Sequence, residues 1–584
     1  MKRVAPIVMF VLGLLSFPTF GVAQDAAPLG LWMSELVLDP LAQGPLVLTI
    51  RGSGGQATLG ARRASATVKG DSVVFRFADG AGRFLGRFTS GREAIEGFWV
   101  QPGKGPWQGY ATPTRLQRAA SERYTGTITP LEPRFTMFLY VWSDTSGLRA
   151  ALRNPEFNIV GGASRWRLRV DRDSLHLTAR PDTTQPEVHR VAVWDRRGKR
   201  IRLFLEGLDS LLVMKPCGPK DSVRFWPRMP RGARQAYRVP TSVQDGWTTA
   251  RASSVGLDEL ALAALTQSLA DTNPVAPRAP LIHSCLIERH GRLVYEEYFY
   301  GHDREQTHDT RSGGKTFASV LVGAAMRQGA PIAPDSSITG LMKARGPFAN
   351  PDPRKSRITL GQLMSHTSGL ACDDNDEKSP GNEDVMQQSK VGDWWKYTLD
   401  LPMAIDPGTR YAYCSGGMNL VGGGITAATG RWIPELFDAS VARPLGYGPY
   451  HFNLQPTDEG YLGGGIRLRP RDLLKLGRAY LDGGVWRGHR IVDSSWVTAS
   501  TRTQWQGDDG NGDGYAWHLI PVEVGGRKYR EYEANGNGGQ MLIVIPELDL
   551  SVVFTAGNYM NGGVWWKFRN EIVGRRIIAA IRDR

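Results

Sequence analysis

Ser312 and Lys315 stand three residues apart at the point where an apolar helical run begins. At that spacing two side chains at the start of a helix lie on one face, so the lysine amine can sit beside the serine hydroxyl. A serine hydroxyl is a weak nucleophile until a neighbour takes its proton or stabilises the alkoxide, and the positive end of a helix helps with the second task. The pair therefore fits nucleophilic catalysis, although one match to this spacing is more often a surface serine with a solvated lysine.

Two later segments supply groups that such a site needs. Tyr413 precedes Ser415 by two positions in a turn-like segment, residues 407–415. The glycine-rich residues 536–540 lead directly into an apolar run at 541–545 and offer backbone N–H groups where a substrate oxygen could lie. Each segment alone is a turn that contains glycine, and their order after Ser312 and Lys315 favours one composite site.

The part of the chain from about position 29 to position 238 shows alternating apolar and polar residues. This alternation, broken by glycine and aspartate, predicts antiparallel β-strands, and residues 118–215 resemble a looser second copy of what precedes them. We find no catalytic set of residues in this part. The clearest strand signals lie at 46–50, 72–77, 84–88, 95–99, 167–170 and 202–205.

A segment rich in proline and polar residues, 238–254, separates the β-rich part from a part of mixed character. There the apolar spacing predicts an α+β domain whose sheet is closed by strands from both of its ends. On the first helix we expect Leu260, Leu265 and Leu269 to share the apolar face. The predicted elements are helices at 257–270, 316–328 and 566–582, a hairpin at 286–296, and strands at 541–545 and 550–554.

Three further segments carry a resemblance to a known family. Residues 358–370 read ITLGQLMSHTSGL, residues 463–473 read GGGIRLRPRDL, and the GGQ of 538–540 leads to PELDL. With the S-x-x-K pair, they make the sequence resemble the serine β-lactamase and penicillin-binding-protein superfamily. The resembling branch contains class C β-lactamases, family VIII carboxylesterases, D-aminopeptidases and 6-aminohexanoate-dimer hydrolases, and the resemblance covers roughly residues 245–584.

The resemblance implies a role for each residue of the site. Ser312 would be the acylated nucleophile and Lys315 its proton-accepting neighbour, while Tyr413 would act as general base toward Ser312 and as general acid toward the leaving group. The backbone N–H groups of Ser312 and Gln540 would form the oxyanion hole. Whether Lys315 or Tyr413 takes the first proton stays open, because such coupled groups share their titration.

Two positions depart from the family pattern. Ser415 stands where many members have asparagine, and Asn537 stands at the lysine of the family's Lys-Thr-Gly, ahead of Gly538 and Gly539. Losing that lysine removes a charge-assisted hydrogen bond to a β-lactam carboxylate, typically about 1.5 to 3 kcal/mol. Since the resemblance also places Cys372 and Cys414 beside the cleft, we expect a disulfide between them, with Cys217 and Cys285 as a second candidate pair.

The 584 residues are too many for one compact core, and 41% hydrophobic with 22% charged residues is typical of a globular protein. Residues 1–23 have the form of an export signal: Lys2 and Arg3, an apolar run, and small residues before Gln24. With no other apolar run near 20 residues, we expect no transmembrane segment after signal removal and a periplasmic or secreted protein. The expected domains are a β-rich module at 24–240, interpreted as two repeats, and a hydrolase domain at 241–584.

Charge and motif content exclude several partner classes. Without Lys2 and Arg3 the chain has 69 basic against 57 acidic residues, an excess of 12, yet it contains no Lys/Arg block with interleaved aromatic residues. We therefore expect no nucleic acid partner. No metal or cofactor is expected either: there is no C-x-x-C pair, and the calcium-loop-like residues 509–514 have Ile520 where a glutamate ligand should be.

Three other residues near these motifs could belong to the site or to the core. We interpret His366 as structural, because no G-x-S-x-G motif accompanies it and S-x-x-K chemistry needs no histidine. Tyr461 and Trp517 could equally line the cleft or pack in the core.

The sequence therefore predicts an exported serine hydrolase that cleaves an ester or amide bond of a small or peptide-like substrate through an acyl-enzyme on Ser312. A D,D-peptidase, D-aminopeptidase or β-lactamase that acts on cell-wall-type substrates is one alternative. A binding protein that kept the fold and lost turnover is the other.

Overall fold

The computed structural model describes residues 27–37, 42–103, 108–131, 134–156, 165–180, 186–206 and 209–583, so the expected export signal lies outside the described residues. The chain divides into two compact units. One comprises Met1–Ser34, Phe138–Leu152 and Ala163–Pro216, and the other comprises Glu35–Met137, Arg153–Gly162 and Cys217–Arg584. In the described ranges no helix is both long and apolar enough to cross a bilayer.

The β-rich part has the predicted antiparallel structure. Its alternating sequence puts every second side chain inside, as in β15, where Ile201, Leu203 and Leu205 are buried between exposed neighbours. The strands are β1 Gly30–Val37, β2 Gly44–Arg51, β3 Gly54–Leu59, β4 Arg62–Lys69, β5 Ser72–Arg76, β6 Arg83–Phe88, β7 Ala94–Gln101, β8 Gly109–Ala120, β9 Arg123–Ile128, β10 Arg134–Asp144, β11 Gly147–Arg153, β12 Arg165–Asp171, β13 Ser174–Ala179, β14 Val188–Asp195, β15 Arg200–Leu205 and β16 Ser210–Pro216.

These strands form two antiparallel sheets of similar design. Strands β1 and β10–β16 form a closed barrel. Strands β2–β9 each pair with the next, and β9 pairs with both β2 and β8, so this sheet also closes on itself. The predicted hairpin of β6 and β7 sets Phe84 opposite Trp99, and both rings are buried. We call the β2–β9 sheet the first barrel.

The chain from Cys217 onward has the predicted α+β character. The helices are α1 Pro219–Ser222, α2 Glu259–Ala270, α3 Thr316–Arg327, α4 Ile338–Leu341, α5 Leu360–Met364, α6 Glu383–Gln388, α7 Trp394–Asp400, α8 Ser415–Thr429, α9 Ile433–Phe437, α10 Pro470–Leu481, α11 Ser494–Ser500 and α12 Gly562–Trp565. The last stretch, predicted as one helix, is a π-helix at Phe568–Ile577 with a 3₁₀ turn at Ile578–Ala580.

The main sheet of this part confirms that strands from both ends of the domain meet. Its order is β17-β19-β18-β32-β31-β30-β27-β26-β25, so the early hairpin β18–β19 lies beside the late strand β32. The strands of the whole hydrolase part, including those outside the main sheet, are β17 Thr248–Thr249, β18 Ile282–Arg289, β19 Arg292–Tyr298, β20 His308–Asp309, β21 Phe452–Leu454, β22 Arg467–Leu468, β23 Val485–Trp486, β24 His489–Arg490, β25 Trp505–Gln506, β26 Gly512–Asp513, β27 His518–Leu519, β28 Val522–Val524, β29 Arg527–Tyr529, β30 Tyr532–Gly536, β31 Gln540–Ile545 and β32 Leu550–Ala556.

The buried face of α2 differs from the predicted one. Asp258 caps the helix by accepting the backbone N–H of Leu260, and Leu260 itself is 80% exposed. The buried stripe runs through Leu262, Leu265 and Leu269, which follow the spacing of one helix face. Leu260 lies two positions before this stripe, about 200° around the helix from Leu262, and so points away from the core.

The first barrel packs against the hydrolase part within one compact unit. Strand β21 pairs antiparallel with β8, with Phe452 opposite Ala111. Next to this pairing, Thr112 Oγ1 and His451 Nδ1 lie 2.8 Å apart in a buried hydrogen bond. Phe98, Val100 and Ala111 of the barrel belong to the same buried cluster as the residues of α3 and α8.

We therefore expect a protein that begins at Thr241 to be insoluble or unfolded. The linker-like composition of 238–254 by itself would allow the β-rich part to be removed, but truncation there would leave β21 without its partner strand and uncover the apolar surface that Phe98 and Val100 cover. Soluble yield and thermal unfolding would be compared with a chain that begins at Gln24. A soluble truncated protein with one cooperative transition would contradict the expectation. The domain boundary near residue 240 stays a prediction.

Candidate active site

Ser312 and Lys315 lie in a 3₁₀ turn, Arg311–Lys315, that continues directly into α3. Ser312 is partly exposed, whereas Lys315 is only 3% exposed. The Lys315 ammonium donates to Ser312 Oγ at 3.1 Å and to the backbone carbonyl of Gly463 at 2.6 Å. The structure thus brings the amine beside the hydroxyl, as the three-residue spacing predicts.

The groups around Lys315 favour its charged form. Burial lowers the pKa of its amine, but Tyr413, Glu383 and Asp374 raise it by more, so the pKa lies above its usual value. A buried lysine that keeps its proton at neutral pH donates hydrogen bonds and stabilises negative charge.

Tyr413 lies over this lysine, with its ring centroid 4.9 Å from Lys315 Nζ. The ring packs against His366 at 4.5 Å between centroids, and the backbone carbonyl of Tyr413 accepts the N–H of Asp374 at 2.8 Å. His366 is buried and its Nδ1 accepts the N–H of Cys414 at 3.1 Å, while burial lowers its pKa well below the usual value. His366 is therefore a neutral residue with a structural contact.

Cys372 and Cys414 form a disulfide, with their Cα atoms 5.4 Å apart. The bridge ties the residue that follows Tyr413 to the end of the segment that holds His366, and Cys414 also caps α8 by accepting the N–H of Gly417. Cys217 and Cys285 are not joined to each other, because Cys285 is a buried thiol within β18. That second candidate pair is wrong.

We expect loss of the Cys372–Cys414 bridge to lower the free energy of unfolding by at most about 4 kcal/mol, from the entropy of closing a loop of 42 residues. Chemical denaturation of Cys372→Ser/Cys414→Ser would measure it. Cys285→Ala, which leaves the bridge intact, separates the loss of a bond from the loss of a buried sulfur. An unchanged unfolding midpoint in the double variant would contradict the expectation.

Ser415 is fully buried and does not line the open cleft. Its hydroxyl donates to Glu383 Oε2 at 3.2 Å, and its backbone N–H donates to Asp374 Oδ2 at 2.8 Å. Tyr461 is also buried, and its hydroxyl donates to the other oxygen of Glu383. Glu383 and Asp374 were not identified from the sequence, although the acidic run between the two cysteines was a signal that could have led to them.

In the turn after β30, the side chains of Asn537 and Gln540 form hydrogen bonds with the protein backbone. Asn537 Oδ1 accepts the N–H of Met560 at 2.8 Å, and Gln540 exchanges two hydrogen bonds with the backbone of Ala556. Gly538 and Gly539 have φ values of 97° and 96°, a region that side chains rarely allow, so these glycines shape the turn.

Asn535, which precedes the predicted glycine-rich segment that begins at Gly536, was not identified from the sequence; both residues lie at the end of β30. A Cβ atom on Gly536 would overlap the carbonyl oxygen of Thr310 and lie 3.1 Å from the backbone nitrogen of Gly313, so only glycine allows this approach. Asn535 lies against Gly313 from the same strand. The strand that approaches the Ser312 turn is therefore β30, and its residue Asn535 lies five positions before Gln540.

Two remaining candidates belong to the surrounding structure. Trp517 is fully buried against Tyr480 and Tyr532, so it packs in the core. Asp513 of the calcium-loop-like segment forms an ion pair with His518 at 2.7 Å. A glycine-rich loop before a strand is thus the better description of that segment.

Comparison with known proteins extends these observations. Residues 284–567 match the family model Beta-lactamase. A 6-aminohexanoate-dimer hydrolase from Paenarthrobacter ureafaciens is 23% identical over 223 residues, which cover 36% of this chain and 55% of that protein. The chain therefore matches about half the length of this curated relative.

Solved structures also resemble the chain. A family VIII carboxylesterase matches with a TM-score of 0.42 and 17% identity, over 59% of this chain and 99% of its own. A penicillin binding protein from Bacillus halodurans matches with a TM-score of 0.39 and 17% identity, over 49% of this chain and 94% of its own. The match to the Beta-lactamase family model, over residues 284–567, includes Ser312, Lys315 and Tyr413.

Proposed function

We propose that the protein is an exported serine hydrolase that cleaves an ester or amide bond of a small or peptide-like substrate through an acyl-enzyme on Ser312. The observation that carries the proposal is the contact of Lys315 Nζ with Ser312 Oγ at 3.1 Å, under the ring of Tyr413. The Cys372–Cys414 disulfide supports export, because such bonds persist in oxidising compartments.

In the proposed reaction Ser312 Oγ attacks the carbonyl carbon while its proton passes to the oxygen of Tyr413. Tyr413 enters this step as the phenolate, which the Lys315 ammonium stabilises, and the same ammonium stabilises the negative charge that develops on Ser312 Oγ. Tyr413 then gives the proton to the leaving group as the acyl-enzyme forms, and water attacks the ester in the second half of the cycle. Tyr413 is preferred as the first proton acceptor because Lys315 already carries its proton.

The oxyanion of the tetrahedral intermediate needs N–H donors. The amide of Ser312 is the first, and the family resemblance assigns the second to Gln540. The close approach of Gly536 to Thr310 and Gly313 supports a second donor at this end of β30 and β31, whose turn is held by Asn537 and Gln540. The chemistry as proposed uses no metal and no cofactor.

The proposed substrate classes, esters and amides, follow from the chemistry of a serine nucleophile and from one similar protein. A 6-aminohexanoate-dimer hydrolase is among the similar proteins. A serine nucleophile attacks the carbonyl carbon of esters and of amides alike, so both bonds are candidates. Action on cell-wall peptides as a D,D-peptidase or D-aminopeptidase is the alternative within the same chemistry. A binding protein without turnover is the alternative outside it.

A fluorophosphonate probe tests the proposal directly. We expect covalent labelling of the folded protein, with the adduct located on the Ser312 peptide by mass spectrometry. A panel of p-nitrophenyl esters, D-amino-acid amides, linear amide oligomers and nitrocefin would then identify the substrate class. A protein that is folded, unlabelled and inactive on the whole panel would support the binding protein instead.

We expect kcat/KM for short-chain p-nitrophenyl esters to exceed that for nitrocefin. Asn537 supplies no cation for a β-lactam carboxylate, whereas an ester with a good leaving group needs only the nucleophile and the oxyanion donors. We expect little gain in nitrocefin turnover from Asn537→Lys, because the Asn537 side chain bonds to Met560. Efficient nitrocefin cleavage by the wild type would contradict the argument and assign carboxylate recognition to another cation, such as Arg467.

A further inference from the structure

A chain of contacts runs from Lys315 to the carboxylate of Glu383. Lys315 Nζ donates to the carbonyl of Gly463 at 2.6 Å. A Cβ atom on Gly463 would overlap the hydroxyl oxygen of Tyr461, so the tyrosine side chain folds back onto this glycine. The same hydroxyl donates to Glu383, which places this carboxylate just behind the carbonyl that holds Lys315.

A second chain of contacts returns from Glu383 to Lys315. Glu383 Oε2 accepts the hydroxyl of Ser415 at 3.2 Å, and Asp374 Oδ2 accepts the backbone N–H of Ser415 at 2.8 Å. The backbone N–H of Asp374 donates to the carbonyl of Tyr413, whose ring lies 4.9 Å from Lys315 Nζ. The two chains close into one set of contacts around the ammonium, which we call the Lys315 network.

The Lys315 network contains two carboxyl groups and one ammonium. Ser415 and Tyr461 each donate a hydrogen bond to one oxygen of Glu383. Burial and the charge of Glu383 raise the pKa of Asp374, while Lys315 and Ser415 act in the opposite direction. Glu383 is the first choice for substitution, because it links the two chains of contacts through Tyr461 and Ser415.

The other charged groups near Lys315 have their own partners or carry no charge. Arg311, the residue before Ser312, has its Nε 3.4 Å from Asp309. His518 is paired with Asp513. His366 is neutral, since burial lowers its pKa well below the usual value. Burial lowers the pKa of Lys315 and Tyr413 raises it, and among the described carboxylates Glu383 and Asp374 raise this pKa most.

We propose that Glu383, with Asp374, is a positioning residue that keeps Lys315 protonated throughout the reaction and so leaves proton acceptance to Tyr413. The inference rests on the proposed function and deepens it. Glu383 acts through Lys315 and not on the substrate, because its two oxygens are taken up by Ser415 and Tyr461.

The test is the pH dependence of Glu383→Gln, read from the rate of fluorophosphonate labelling of Ser312 and from kcat/KM on an ester. Removing one nearby anion lowers the pKa of Lys315, so we expect the alkaline fall in both rates to move to lower pH by about one unit or more. We call the part of the pH profile in which the rates fall at high pH the alkaline limb. An alkaline limb that stays at the wild-type pH while the rates fall at every pH would overturn the proposal.

Tyr461→Phe and Ser415→Ala are the matched controls, because each removes a hydrogen bond to Glu383 and keeps both carboxyl groups. We expect each to retain the wild-type alkaline limb. A shift in these controls equal to that of Glu383→Gln would also overturn the proposal, since it would arise from geometry and not from charge.

A substitute variant and the labelling of the wild type distinguish failure of this inference from failure of the proposed function. If Glu383→Gln does not fold, Asp374→Asn replaces it with an expected shift in the same direction. Failure of the wild type to label at Ser312 would count against the proposed function. Normal labelling with an unmoved alkaline limb would count against this inference alone.

Discussion

Replacing Ser312 by alanine is expected to abolish turnover, with a loss of at least about 10⁴-fold in kcat/KM. Lys315 donates to the Ser312 hydroxyl and Tyr413 lies over Lys315, and without that hydroxyl they have no nucleophile to activate. The substitution removes one oxygen atom from a partly exposed position, so the fold should be retained. Hydrolysis of a p-nitrophenyl ester and the melting temperature, measured on the same preparation, would check both parts.

Ser368→Ala is the matched control for this experiment. Ser368 lies in the family-like segment 358–370, is buried, and its hydroxyl accepts the N–H of Leu370. We expect this variant to keep its ester turnover. Full activity in Ser312→Ala would end the proposed mechanism.

Lys315→Ala and Tyr413→Phe are each expected to lower kcat/KM by roughly 10² or more, the scale of lost acid–base catalysis. Tyr413→Phe is the cleaner variant, because it deletes one hydroxyl and keeps the ring that packs on His366. Lys315→Ala also removes the cation that Glu383 and Asp374 act on, so we expect a lower melting temperature as well.

Tyr411→Phe is the control for the tyrosine, since its ring contacts the same histidine at 5.6 Å between centroids. It should retain ester turnover. A normal rate in Lys315→Ala would assign activation to Tyr413 alone, and a normal rate in Tyr413→Phe would contradict the proton transfer proposed here.

The sequence predicted those features of the fold that depend on local pattern. Alternation along β6 and β7 indicated their pairing, and the apolar runs at both ends of the hydrolase part predicted the sheet in which β18 lies beside β32. The apolar face of α2 was assigned incorrectly at Leu260, because its phase depends on what the helix packs against and not only on spacing.

In the candidate site, too, the sequence predicted the residues placed by local structure and not those placed by long-range contacts. Ser312 and Lys315 could be identified because their contact is set by one helical turn. Glu383 and Asn535 could not, because their positions depend on contacts between segments far apart in the chain. Packing of the first barrel was missed for the same reason, since the partner of β8 lies in a short strand after α9.

The pairing of β8 with β21 has a consequence for the order of folding. Part of the edge of β8, from Gly109 to Ala111, has β21 as its neighbour, while β9 pairs only with the other end of the strand. During synthesis the chain must add more than 300 residues before this partner exists, as the 339-residue separation of Thr112 and His451 indicates. Closing so long a loop costs little more entropy than closing a shorter one, but the search is slow. Until it ends, the open strand edge can pair with another chain, so refolding yield should fall steeply with protein concentration.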